Sequence, residues 1–512
     1  MPTTRPFIPG AVRRPTARRR AARSASWLPI LAVTALLGGC ATPWLQFGGG
    51  PSHTGFNATD KVLTLANVHA PSTFHQAWQV TLPAVADGPP VITSVYASGA
   101  WVDLAIVTTK AGDLQARNLI TGALLWTAHF PAGSCRINNG STPCYTTSSP
   151  VVVNNEVYTY GLDGKVHKVA LLSGFEIQSG GWPATTTLKP WDEKGSSALS
   201  SAKAANGHTY LYAVHAGYPG DHGDYQGHLV AIDLANAQTH TFNSLCSNQT
   251  VLFEPAPATP DCSEVTSGVW ARAGTTYDPA TDRLYFTTGN ATYSPADHHW
   301  GDTVLAVHPD GTGANGDPLD SYTPSNFQQL DGLDQDLGST LPAIAPAPAG
   351  STETNLGVQG GKEQKLYLLD LANLSGQGGP GHIGGELQKI DVPQGGEVLT
   401  APAVWTNPAD GRIWVFVGTS SGLSGLTVDL GPGNVPKLTT RWQNTSNAAT
   451  SPTVANGLLF AMGGTSIGAF DATTGSSVWS TSTGGTHWQS PIESSGWLVF
   501  ADNSGHLTAW GL

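Results

Sequence analysis

Charge is scarce in this chain: only 12% of its 512 residues are Asp, Glu, Lys or Arg. Basic residues are the scarcer kind, 24 against 36 acidic, and seven of the 24 are arginines inside residues 1–39, where no acid occurs. The remainder keeps 17 basic and 36 acidic side chains, a net charge of −19. Such a body repels phosphate backbones, which argues against a nucleic-acid partner. Cysteine is also sparse, at five. No Cys-x-x-Cys-His occurs, so the chain has no attachment motif for a covalent haem. Neither close cysteine pair has metal-ligand spacing. The apolar run at 27–37 (WLPILAVTALL) is too short to hold as a bilayer-spanning helix. No amphipathic stretch continues beyond about two helical turns.

Glycine (61), proline (36) and tryptophan (16) are plentiful instead. That mixture suits many short strands joined by tight turns. The ordinary apolar fraction, 40%, excludes a disordered chain, because so many tryptophans must be buried somewhere.

Residues 1–39 read as a secretory signal: an arginine-rich start, then the short apolar core. Leu37-Gly38-Gly39-Cys40 resembles the bacterial lipobox, which implies that Cys40 becomes the mature N-terminus and carries acyl chains. The expected location is the bacterial cell envelope, with the membrane contacted through that lipid alone. The other four cysteines, an even number in an exported chain, are expected to form disulfides. Pairing within loops gives Cys135 with Cys144 and Cys246 with Cys262.

Residues 40–75 read as an irregular lead-in or tether. From 76 to 512 a unit recurs: a short apolar run centred on a small residue, a polar residue, then a turn. Two copies are nearly complete. Ala116-Arg117-Asn118-Leu119-Ile120-Thr121-Gly122 leads to Trp126, and Ala469-Phe470-Asp471-Ala472-Thr473-Thr474-Gly475 leads to Trp479 at the same spacing. Six weaker copies align on Lys168, Ala231, Ala306, Leu368, Thr427 and Ala509. The last two intervals, 42 and 40 residues, match the roughly 40–45 residues of a four-stranded propeller blade. After Ala509 the chain stops before any outer strand, while Ala77-Trp78-Gln79-Val80 looks like such a strand with no blade in front of it. Joining the two closes a ring and removes its open edges. The expected fold is all-β: an eight-bladed propeller of four-stranded antiparallel blades, closed by an N-terminal strand. Loops at 217–227, 289–302 and 321–338 exceed what a blade needs, and long loops on a rigid scaffold are where function concentrates.

The Ala-x-Asp/Asn-x-x-Thr-Gly-x-x-x-Trp tail resembles the repeat of the pyrroloquinoline quinone (PQQ) propellers, over residues 77–512. That superfamily holds quinoprotein alcohol dehydrogenases, which use PQQ and calcium, and scaffold lipoproteins of outer-membrane protein assembly, which bind no cofactor; fold alone does not choose. Three segments resemble the dehydrogenases. Thr276-Tyr277-Asp278-Pro279 with Leu284-Tyr285-Phe286-Thr287-Thr288-Gly289-Asn290 places Asn290 as a metal ligand. Asp334-Gln335-Asp336-Leu337-Gly338-Ser339 places Asp336 as the catalytic base. Gly360-Gly361-Lys362-Glu363-Gln364 places Lys362 against the quinone oxygens. The resemblance further implies a metal carboxylate from the loop before Gly227, where Asp221 and Asp224 stand in place of the usual Glu, and a Trp270 that stacks on the cofactor. The adjacent Cys-Cys pair of the dehydrogenases is absent. The run Asp297, His298, His299, Trp300, Asp302 reads as a solvated loop rather than a transition-metal site.

Two functions stay open on these residues. One is a PQQ- and Ca²⁺-dependent alcohol oxidoreductase that needs a separate electron acceptor. The other is a non-catalytic envelope scaffold that grips a protein partner. A sugar- or polymer-binding propeller is the third reading, and in each case the chain is expected to be a monomer.

Overall fold

The computed structural model describes residues 41–69, 73–132, 144–219 and 221–512. Cys40, Cys135 and the signal segment lie outside them. Short strands with buried apolar residues pair into eight four-stranded antiparallel sheets, and these are the blades of an eight-bladed β-propeller. The third strands of the blades are Asp113–Asn118, Lys165–Ala170, His228–Asp233, Val304–Val307, Lys365–Asp370, Gly422–Leu430, Ser466–Asp471 and His506–Gly511. Each carries one of the eight repeat anchors, so the periodicity in the sequence is the periodicity of the blades. Among the described residues, helix is confined to Leu65–Val68, Phe327–Gly332 and single 3-10 turns. Among the described residues, no helix is long and apolar enough to cross a membrane.

The Thr-Gly-Trp tail works between blades. Ala116 pairs with Trp126 across the third and fourth strands of the first blade. The Trp126 indole then donates to the Leu171 carbonyl (2.9 Å) of the second blade and lies against Gly174. A Cβ on Gly174 would meet that ring at 2.6 Å, and its φ of +71° is the left-handed region that glycine adopts freely. The ring closes by the same device. His75–Thr81 pairs with His506–Gly511 as the outer strand of the eighth blade, with Trp78 opposite Ala509. Trp78 Nε1 donates to Leu119 O (2.8 Å) and its ring covers Gly122 of the first blade.

The lead-in threads the axis. Trp44 bridges Ile92, Leu45 O accepts from Val152 N, and Gln46 makes two bonds to Ser201, in the first, second and third blades. Pro51 O accepts from Tyr277 N, Thr54 O from Val404 N, Phe56 pairs with Val454, and Asn57 donates to Glu493, in the fourth, sixth, seventh and eighth. Seven innermost strands are thus hydrogen-bonded to one short segment. Its Phe47 packs on Ala198, Ala271, Ala273, Leu341 and Ala401, and buried His53 bonds to the Phe47 carbonyl.

Antiparallel strands divide the connections between the two ends of the ring. Within each blade the connection from second to third strand, and the link to the next blade, emerge at one end of the ring. The turns from first to second and from third to fourth strand emerge at the other.

Candidate functional site

Asn290, Asp336 and Lys362 come from three different connections, and all three connections emerge at the same end. Asn290 follows the second strand of the fourth blade (Arg283–Thr287), Asp336 lies in the link to the fifth blade, and Lys362 is in the turn before Lys365–Asp370. They meet. The Asn290 backbone N–H donates to Asp336 Oδ1 (2.8 Å), and the Lys362 ammonium is 2.5 Å from Asp336 Oδ2 and 3.1 Å from Asp334 Oδ1. Gly289 permits this approach, because a Cβ there would lie 2.2 Å from Asp336 Oδ1 and 2.9 Å from the Trp270 ring.

Asp302 ties the group together. It is fully buried; its Oδ2 accepts from Asn290 Nδ2 (3.0 Å) and its Oδ1 from the Leu337 backbone N–H (3.0 Å). With its amide nitrogen held there, Asn290 Oδ1 is a buried acceptor with no donor. Burial pushes the Asp302 carboxyl well above its ordinary value, and the neighbouring Asp336 charge adds to this. Burial also lifts Asp336, with Lys362 partly offsetting it. For Lys362, burial works against the charged form, but the Asp336 and Asp334 carboxylates prevail and push it up to about 12.

Facing this acidic side is a set of cations that sequence reasoning did not single out. Lys194 is 3% exposed and forms no ion pair among the described residues; its ammonium lies 5.0 Å from the Tyr145 ring and 5.9 Å from those of Tyr218 and Trp270. Burial lowers its pKa strongly, and Arg272 lowers it further. Arg272 donates to Thr147 Oγ1 (2.8 Å) and Ser196 O (3.3 Å), stacks on Trp488 at 4.1 Å, and forms no ion pair among the described residues, although the Asp87 charge favours its cationic form. Burial pulls it down to about 10, so it stays cationic at neutral pH. Lys110 is paired, at 2.9 Å from buried Asp87. Beyond Trp488 a cavity of about 240 Å³ continues round the mouth between Glu397, Thr419, Thr450 and His487. These residues are scattered over several connections, and no local motif marks them.

Asp221 and Asp224 are not brought to Asn290. Asp221 is exposed and accepts from the Tyr225 hydroxyl (2.6 Å). Asp224 accepts from Ala256 N (2.9 Å) and Gln226 Nε2 (3.2 Å) and lies 3.5 Å from the Lys189 ammonium. Lys189 is wholly buried, and Glu193 at 3.3 Å is its other carboxylate. A buried ammonium has first claim on nearby acids, so Asp224 serves Lys189. Trp270 is half-buried at the mouth, wedged between Gly268 and Gly289, with Tyr225 edge-on at 6.1 Å.

The His298–Trp300 loop is not solvated throughout. Trp300 is 1% exposed and donates to Ser247 Oγ, His298 pairs with Asp317 (2.8 Å), and Asp302 belongs to the site. Cys246 and Cys262 are joined by a disulfide. With His299 they are the one triad of potential ligand atoms that lie together among the described residues, and the bonded sulfurs rule out a metal there. Cys144 is disulfide-bonded; its expected partner Cys135 lies outside the described residues.

Several solved dehydrogenase structures share this architecture. The quinohemoprotein alcohol dehydrogenase ADHIIG from Pseudomonas putida HK5 superposes with a TM-score of 0.61 at 14% identity, over 92% of this chain and 80% of its own. The quinohemoprotein alcohol dehydrogenase from Comamonas testosteroni gives 0.59 at 14% identity, over 92% and 80%. A europium-containing methanol dehydrogenase gives 0.61 at 14%, over 92% and 98%. The fold is that of the PQQ-type β-propellers. Identity this low carries the fold alone. A family model described as outer membrane protein assembly factor BamB matches residues 60–241, and no curated protein matches by sequence.

Proposed function

We propose that the chain is an exported, lipid-anchored oxidoreductase that oxidises an alcohol with PQQ bound at the axial mouth. One observation carries this reading: buried Lys194 and half-buried Arg272 form no ion pair among the described residues and are set among the rings of Tyr145, Tyr218, Trp270 and Trp488. Leaving such charges unpaired costs several kcal/mol each, of order, and a propeller used only as a scaffold has no need of them. A planar aromatic polycarboxylate matches both the charge and the rings. The fit for calcium rests on a smaller donor set than the sequence implied. Asn290 Oδ1 is an unsatisfied hard donor, and the Asp302 and Asp336 carboxylates bond to the side-chain and backbone nitrogens of the same residue, whereas Asp221 and Asp224 are engaged elsewhere.

When bound, PQQ supplies the two-electron acceptor, and calcium supplies a Lewis acid at its oxygen. The chain supplies the rest. Asp336 takes the alcohol proton on Oδ2; its burial gives it a basicity above that of an exposed carboxylate, and Lys362 keeps it ionised. Lys362, charged at any working pH, stabilises negative charge that develops beside it. Asp302 holds the Asn290 amide nitrogen and leaves the oxygen as an acceptor without a donor. Electrons leave to a separate acceptor, and the protein works as a monomer. Reconstitution with PQQ and Ca²⁺ followed by a dye-linked alcohol assay tests the reading; no turnover with any primary alcohol, sugar or polyol counts against it.

One observation favours a second reading. The assembly-factor model covers residues 60–241, which fits a non-catalytic envelope scaffold. In that case Asp336→Ala and Lys362→Ala leave the cellular phenotype of the wild type intact, while deletion of surface loops abolishes it.

A further inference from the structure

The described chain begins at a fixed place, on the end of the ring opposite the mouth. The Ala41 N–H donates to both Ser94 Oγ (3.0 Å) and Asp103 Oδ1 (3.0 Å). Thr42 N donates to Ser495 Oγ (2.5 Å), and its carbonyl accepts from Ser494. Ser94 and Asp103 are a cross-strand pair in the inner hairpin of the first blade, Val91–Ala97 with Ala100–Thr108. Two residues further along both strands, on the same face, is the pair Tyr96–Trp101. That step is about 7 Å toward the turn. Cys40 is the residue bonded to Ala41, so a lipid on it would be attached one residue, about 4 Å of backbone, from this strand pair.

Tyr96 and Trp101 are 59% and 52% exposed and touch edge to face at 5.5 Å. Val62 is 46% exposed and packs on Gly496, next to Ser495. Exposed aromatic rings with one polar edge are poorly served by water, but suit the headgroup layer of a bilayer, where ring and polar atom both find partners.

We propose that the Tyr96–Trp101 tip, with Val62, seats in the interface of the bilayer that holds the acylated Cys40. This rests on the lipid-anchor reading above and goes beyond it, because an acyl anchor by itself leaves the ring free to tilt. The seated tip fixes the ring so that the mouth, at the far end, opens away from the membrane. Substrate and electron acceptor then arrive from the aqueous side.

The test uses the full chain made in a bacterial host that processes lipoproteins. A fluorophore is attached in Ser98→Cys, at the turn between the two rings, or in Ser420→Cys, at the mouth. Each protein is placed on phosphatidylethanolamine–phosphatidylglycerol vesicles carrying doxyl lipids, and the mass of the N-terminal residue is measured. The label at 98 is expected to lose fluorescence and the label at 420 to keep it. The double variant Tyr96→Ser/Trp101→Ser is expected to restore fluorescence at 98 while the protein still floats with the vesicles. An acylated protein that floats with both labels unquenched overturns the seating and leaves the anchor intact, as when a protein partner covers the tip instead. A Cys40 without acyl mass overturns both.

Discussion

The first, sixth and seventh blades and the third, fourth and fifth are built on one repeat but used differently. In the former, strands are joined by tight turns and the outer tryptophan bonds to the next blade or stacks on aromatic neighbours: Trp126 on Leu171 and Gly174, Trp442 on Ala472 and Gly475, Trp479 on Phe74 and Trp510. Their buried groups are mostly apolar or bonded pairwise. In the latter, connections are long and the interior holds Lys189, Lys194, Glu193, Asp302 and Asp336. A ring needs identical joints to close, and the repeat preserves them; the insertions at one end are free to carry charge because the joints elsewhere hold the shape. Stability and chemistry are therefore separable, and single substitutions can break one without the other.

The largest effect is expected on the chemical side. Asp336→Ala should lower dye-linked turnover of the reconstituted protein by about 10²–10⁴-fold with little change in the urea midpoint. Next is the joint that closes the ring. Trp78→Ala should lose about 3–5 kcal/mol in urea unfolding, and PQQ affinity measured well below the new midpoint should stay at the wild-type value.

Lys194→Met sharpens the contrast, since it should act on both sides with opposite sign. Replacing a buried unpaired cation with an apolar side chain should stabilise the cofactor-free protein, by about 1–4 kcal/mol, and weaken PQQ binding. The pH dependence follows. Burial holds the folded Lys194 below its ordinary value of 10.5, so the unfolded chain binds that proton more tightly. Stability of the wild type should rise with pH from the folded value up to 10.5, and Lys194→Met should flatten that rise in denaturant midpoints measured across the alkaline range. The smallest effect is expected at Asp302→Asn. It keeps an acceptor for Leu337 N but lets the Asn290 amide turn, and should weaken Ca²⁺ binding by about 10–100-fold in direct calcium titration.

Much of this contrast is legible in the sequence, for physical reasons. The Thr-Gly-x-x-x-Trp joint recurs because the indole needs a residue without Cβ to lie on, so Gly122 and Gly475 advertise it. The orphan strand around Trp78 is legible because it carries the outer-strand tryptophan without a blade. Asn290, Asp336 and Lys362 lie in segments whose flanking strands fix them, and the structure brings all three together. The lead-in is not legible, because most of its bonds to the blades run through backbone atoms, which leave no pattern in side chains. Asp221 and Asp224 look like ligands until buried Lys189, far off in sequence, is seen to claim Asp224. Lys194 and Arg272 carry no motif; only their placement among aromatic rings, without an ion pair among the described residues, marks them. Asp302 sat in view, but in a loop that reads as polar and solvated.

The most direct test of the mouth as a cofactor site is a calorimetric and absorbance titration of PQQ, in Ca²⁺, into the wild type and into a Lys194→Met/Arg272→Met variant. One equivalent should bind per wild-type chain with a shifted quinone spectrum, and the variant should show neither heat nor shift. A wild type that takes up no PQQ, or a variant that binds it equally well, contradicts the account.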